Sequence, residues 1–162
     1  MCLQVFVAAD EPLPTIPFDS AAPAFNASTL WPEAESVRRH FSKPYIYSLG
    51  AQTGCACGFG YSPDDLDPEF LDAPDVPEEV KESTRADHAA RREAVQQLKG
   101  YLTITVDRCG SAEVFNCWVA DEAAEPVSRR TVTPEYFGGD AFRFVEKEFL
   151  TVVGSTRDRP AV

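Results

Sequence analysis

The chain has no apolar run approaching the roughly 20 residues that a helix needs to span a bilayer, which argues against a membrane protein. Basic side chains are scarce: 15 Lys and Arg stand against 26 Asp and Glu, for a formal charge of −11. Contact with phosphate backbones is driven by Lys and Arg and by release of counterions. Nucleic acids and anionic membranes are therefore not expected partners, whereas a basic protein is. Histidine is limited to His40 and His88, which leaves little material for a general base. The glycines at 50, 54, 58 and 60 match neither G-x-G-x-x-G nor G-x₄-G-K-[ST], so no phosphate loop is expected. The segment Asp64-Asp65-Leu66-Asp67 lacks the central glycine and terminal Glu of a calcium loop.

The start of the chain, Met1 to Val7, has neither a basic region nor a small-residue cleavage site, and Asp10-Glu11 interrupts it too early for a secretory signal. Its five cysteines, Cys2, Cys55, Cys57, Cys109 and Cys117, are an odd number. Together these features point to the cytoplasm, where thiols stay reduced or act as ligands.

What is present suits one domain. A chain of 162 residues, 44% of them hydrophobic with 11 Phe, 5 Tyr and 2 Trp, can bury one core without metal or disulfide staples. Leu3 to Ala9 reads as a covered strand that ends before Pro12, Pro14 and Pro17. Pro32 opens a short helix with Val37 and Phe41 on its buried edge, and Tyr45 to Leu49 has strand composition. From Asp64 to Glu82 there are nine acidic residues and one Lys, a mobile acidic loop (62–77) leading into a helix that begins at Glu78 or Thr84 and ends at Lys99, with Gly100 as its cap. Alternation from Tyr101 to Val106 and from Phe115 to Val119, with Cys109-Gly110-Ser111 between, predicts a β-hairpin. Thr133-Pro134-Glu135 starts a brief helical turn closed at Gly138-Gly139, and a final strand runs from Phe142 to Val153. The sum is an α+β fold: a single domain over 1–154 with a mainly antiparallel sheet and two helices, and a frayed tail at 155–162.

Three patterns carry chemistry. Cys55-Ala56-Cys57, between Gly54 and Gly58, would present two thiols on one face if the chain is extended there. Such a pair can bind a soft metal such as zinc or exchange with a disulfide. Structural zinc sites pair ligands as C-x₂₋₄-C, a spacing these residues lack, so a full site would recruit Cys109 or His40; Cys117 shares the apolar face of Phe115 and Val119 and is a poor ligand. The competing reading is that all are small packed thiols. Second, Met1-Cys2-Leu3 resembles the start of N-terminal nucleophile hydrolases, in which loss of the methionine exposes an amine beside the thiol. That resemblance covers three residues and brings no oxyanion motif with it; the competing reading places Cys2 at a strand end with its side chain in the core. Third, the acidic segment with Trp31, Tyr61 and Phe70 suggests a non-enzymatic surface that captures a basic protein partner, as inhibitors and immunity proteins do. His40 reads as a cation at a helix end and His88 as a solvated helix residue.

Overall fold

The computed structural model describes residues 2–155; the tail predicted to fray lies, from 156 onward, outside the described residues. The fold is α+β, as its segment pattern implies. Strands β1 (Leu3–Ala9), β2 (Asn26–Thr29), β3 (Tyr45–Gly50), β5 (Ser111–Trp118), β6 (Ser128–Val132) and β8 (Glu148–Val153) form one sheet in the order β2-β3-β1-β5-β8-β6. Every pairing is antiparallel except β6 with β8. A small ribbon joins β4 (Gly60–Tyr61) to β7 (Phe142–Arg143). Two α-helices, α1 (Pro68–Asp72) and α2 (Glu78–Cys109), and a 3₁₀ segment over Pro32–His40 complete the frame.

β1 is central and covered on both faces, which is why its sequence is nearly continuous in apolar residues rather than alternating with charge. Val5, Val7 and Ala9 face α2 and meet Leu98, Leu102 and Val106 in the larger core. Phe6 and Ala8 face the 3₁₀ segment and meet Ala34, Val37, Phe115 and Phe149. Pro32 starts that segment, and Arg38, Arg39 and His40 occupy its last turn, as expected. His40, however, is buried: its Nε2 lies 2.9 Å from the Glu122 carbonyl and its ring stands 4.9 Å from that of Phe115.

The hairpin expected over 101–119 is replaced by helix. α2 runs on through Gly100 to Cys109, and Gly110 at φ +77° is the left-handed cap. Leu98, Tyr101, Leu102, Thr105 and Val106 are buried, a spacing of 3, 4, 7 and 8 that is the helical period. The threonines that suggested a strand close their hydroxyls inside the helix: Thr103 Oγ1 donates to Lys99 O at 2.9 Å and Thr105 Oγ1 to Tyr101 O at 2.8 Å. Only Phe115 and its neighbours form the predicted strand. The final strand is likewise shorter, because Lys147 takes φ +55° and separates β7 from β8.

The acidic loop is built rather than formless. Ser62 caps the turn Pro63–Asp65, accepting from Asp64 N at 3.3 Å while its own N–H donates to Asp65 at 2.7 Å, and Asp67 caps α1 by accepting from Glu69 N at 2.9 Å. No helix among the described residues is long and apolar enough to cross a membrane.

Candidate functional site

β3 leaves the sheet at Gly50, and the chain doubles back at once. Ala51 N donates to Cys55 O at 3.0 Å and Gly54 N to Ala51 O at 2.9 Å, a closed loop that needs Gly54 in the left-handed region (φ +77°) with the Phe18 ring 3.4 Å from where a Cβ would stand. Cys55 is extended (φ −127°, ψ 165°) and leads directly into a 3₁₀ turn over Ala56–Gly58. The loop rests against the beginning of β1, so that Leu3 N donates to Cys57 Sγ at 3.1 Å.

Three of the five cysteines meet here. Cys2, just before β1, is exposed and not in the core, which corrects the expectation of a packed strand-end thiol; Cys55 is half-buried and Cys57 exposed. Burial acts to raise the Cys55 pKa, but hydrogen bonds from Thr53, from Cys57 and from Cys2 outweigh it and leave this thiol below its ordinary value. The Thr53 hydroxyl lies 3.4 Å from Cys55 Sγ. Cys57 moves the other way: burial and the neighbouring Cys55 and Cys2 raise it, against the Leu3 N–H, which lowers it.

The extended Cys-x-Cys face predicted from the sequence is not what forms. A 3₁₀ turn advances about 120° per residue, so residues two apart diverge. The thiols open onto different recesses. Cys55 and Cys2 border a pocket of about 190 Å³ whose polar wall is Gln4, Asn26, Ser28 and Ser48 and whose apolar wall includes Trp31. Gly50 makes room for that wall: a Cβ there would lie 2.5 Å from Asn26 Oδ1. Cys57 borders a separate recess of about 200 Å³ on the far side of Leu3, which lines both.

The remaining candidates lie elsewhere. Cys109 ends α2 and packs on the larger core. It precedes β5 at Ser111, whereas Cys2 is level with the opposite end, its carbonyl bonded to Val119 N; at ~3.3 Å per residue those ends are more than 20 Å apart. His40 is buried against Phe115 on the smaller core. Cys55, Cys57, Cys109 and His40 therefore do not surround a common point, and among the described residues no group of three or more His, Cys, Asp or Glu is arranged to hold a metal ion. The donor set does not fit zinc. Cys117 is fully buried, its thiol pushed up to about 12 by burial and by Glu122 and Asp121.

His88 is half-buried, not solvated: its Nε2 lies 3.0 Å from Ser62 O and its ring meets the Tyr61 ring edge-on at 6.0 Å. Of the aromatics assigned to the acidic surface, Tyr61 is fully buried, Trp31 packs on Phe6 at 6.0 Å, and only Phe70 is exposed. Sequence reasoning missed Thr53 as a thiol partner, although a hydroxyl two residues before a cysteine in a glycine-rich loop is a local turn signal. Comparisons with protein-family models, with curated proteins and with solved structures gave no match.

Proposed function

We propose that this protein is a cytoplasmic thiol–disulfide exchange protein in which Cys55 attacks and Cys57 resolves. What supports the reading is two accessible thiols on one tight loop, of which one, Cys55, lies 3.4 Å from the Thr53 hydroxyl and is lowered by its neighbours Thr53, Cys57 and Cys2. A hydrogen bond to the charged form favours thiolate, and thiolate is the nucleophile. Cys55 thiolate attacks a substrate disulfide, forming a mixed disulfide and releasing one substrate thiolate. Cys57, deprotonated to solvent, then attacks Cys55 Sγ and releases the second. Two electrons pass to the substrate, and the protein keeps a Cys55–Cys57 disulfide. Among the described residues the pocket of Gln4, Asn26, Ser48 and Trp31 beside Cys55 has no charged side chain and suits an uncharged polar group next to the scissile bond.

The test is trapping with an aromatic disulfide. Cys57→Ser should hold a stable mixed disulfide on Cys55, whereas Cys2→Ser should pass on to the internal disulfide and lose two protons in mass. Failure of Cys55 to label faster than a free thiol peptide at neutral pH contradicts the reading.

A second reading rests on residues 62–82, where Phe70 and Val80 stand exposed (39% and 41%) among nine carboxylates: a surface for a basic protein partner. Complementary charge there would raise association rate more than affinity. Neutralising those Asp and Glu residues should slow capture of a basic partner and leave thiol chemistry intact; unchanged capture rules this surface out.

A further inference from the structure

The recess at Cys57 differs chemically from the one at Cys55. Its walls are the rings of Phe59, Trp118 and Phe144, and its rim carries Arg91 and Arg143. Two arginines lining one small recess stand out in a chain of charge −11, and Arg91 also lines the depression beside it. Both are held in place: Arg91 Nε donates to Asp87 at 2.7 Å, and Arg143 Nη2 donates to Asp65. Those carboxylates lie outside the recess, on a neighbouring depression with Thr84 and His88. Each guanidinium carries five donors in a planar fork, so most of their N–H groups remain for a ligand. Among the described residues no carboxylate lines the recess itself.

We infer that this recess docks an anionic, carboxylate-bearing small thiol, which reduces the Cys55–Cys57 disulfide by attack on Cys57. The inference rests on the exchange reading above. The incoming thiolate approaches Cys57 Sγ along the open side; the Cys55–Cys57 bond breaks and Cys55 departs as thiolate. Cys55, the thiol of the pair whose pKa is lowered, is the better leaving group. A second molecule of the thiol attacks the sulfur of the first, releasing a small-molecule disulfide and Cys57 thiolate, so that two thiols supply the two electrons. Substrate disulfide and reductant thus approach from opposite sides of Leu3 and do not compete for space.

The experiment uses the full chain, oxidised at Cys55–Cys57, and follows its reduction by reduced glutathione and by 2-mercaptoethanol. Exposed ion pairs are worth a factor of roughly 2 to 5 each. Arg91→Gln with Arg143→Gln should therefore slow glutathione about tenfold and leave 2-mercaptoethanol within twofold, and raising the salt should reproduce that selective loss on the unaltered chain. Equal loss for both thiols, or no loss, overturns the inference. A separate titration of the reduced protein with S-methylglutathione, which cannot exchange, reads the recess without redox chemistry. Amide shifts at Arg143 and Phe144 that vanish in the double variant support docking, and absence of shifts contradicts it. If the pair never oxidises, the exchange reading fails while this titration still decides the recess.

Discussion

Cys117 and Cys55 are the same residue in opposite circumstances. Cys117 sits in the interior of β5, with no exposure, in one cluster with Phe6, Phe115 and Phe149, its sulfur 3.9 Å from Gln4 Oε1 and its thiol pushed up to about 12. Cys55 sits where β3 has left the sheet, half-exposed and ringed by hydrogen-bond partners. The difference lies in the backbone. Inside a strand, neighbours are fixed by the pleat and the partner strands, and a thiol there is a small apolar filler. In a tight loop, a hydroxyl two residues away reaches one sulfur and the start of a distant strand reaches the next. Reactivity in this protein follows loop geometry, not cysteine content.

The sharpest way to probe that contrast is alkylation of the native protein. Cys55 should label first, and Cys117 only on unfolding, a difference on the order of a thousandfold or more given the separation in thiolate fraction; peptide mapping reads it directly. The pH profile sharpens it further. A lowered thiol is deprotonated at lower pH, so the Cys55 labelling rate should reach half its plateau below the ordinary thiol midpoint, and Thr53→Val should move that midpoint upward. A midpoint unchanged by the substitution removes Thr53 from the site.

Stability should separate the two regions next. Cys117→Ser buries a more polar hydroxyl, with Gln4 Oε1 beside it but no closer than the present 3.9 Å unless the site shifts, and should cost about 1–3 kcal/mol in denaturant unfolding, whereas Cys57→Ser, exposed, should stay within about 0.5 kcal/mol. Two glycines give a further contrast of similar size. Gly54→Ala forces a side chain into the left-handed region against Phe18, costing about 1–2 kcal/mol and displacing Cys55. Gly100→Ala, mid-helix with nothing within 4 Å of the new Cβ, should stabilise by about 1 kcal/mol. A destabilised Gly100→Ala would mean that α2 does not run unbroken through that position.

These residues also mark what was legible in the sequence. β1, the Pro32 segment and β3 could be read because each is bounded by proline or carries an unambiguous apolar pattern. The second half of α2 could not: Leu102, Ile104 and Val106 satisfy a two-residue period while Leu98, Leu102 and Val106 fit the helical one, and only the cores above them decide. Gly100 looked like a cap because glycine is costly inside a helix, whereas the true cap, Gly110, was assigned to a hairpin turn. β2 and β6 are short, polar and paired at or near the sheet edges, so local composition hardly distinguishes them from loop. At the site, Cys55 and Cys57 stood out because two thiols lay among glycines. That Cys2 joins them follows from the register of β1 with β3, and that Arg91 and Arg143 share a recess with Cys57 follows from α2 and β7 both packing on β4, just after the loop; long-range topology of this kind leaves no trace in spacing.

The most direct test is to equilibrate the native protein across a series of thiol–disulfide buffers, quench with an alkylating agent and map the cysteines by mass. Thiol–disulfide exchange by this pair predicts that Cys55 and Cys57 lose two protons together at one buffer potential, while Cys109 and Cys117 stay reduced. If Cys55 and Cys57 remain thiols throughout, or oxidise only with other partners, the pair is not a redox centre.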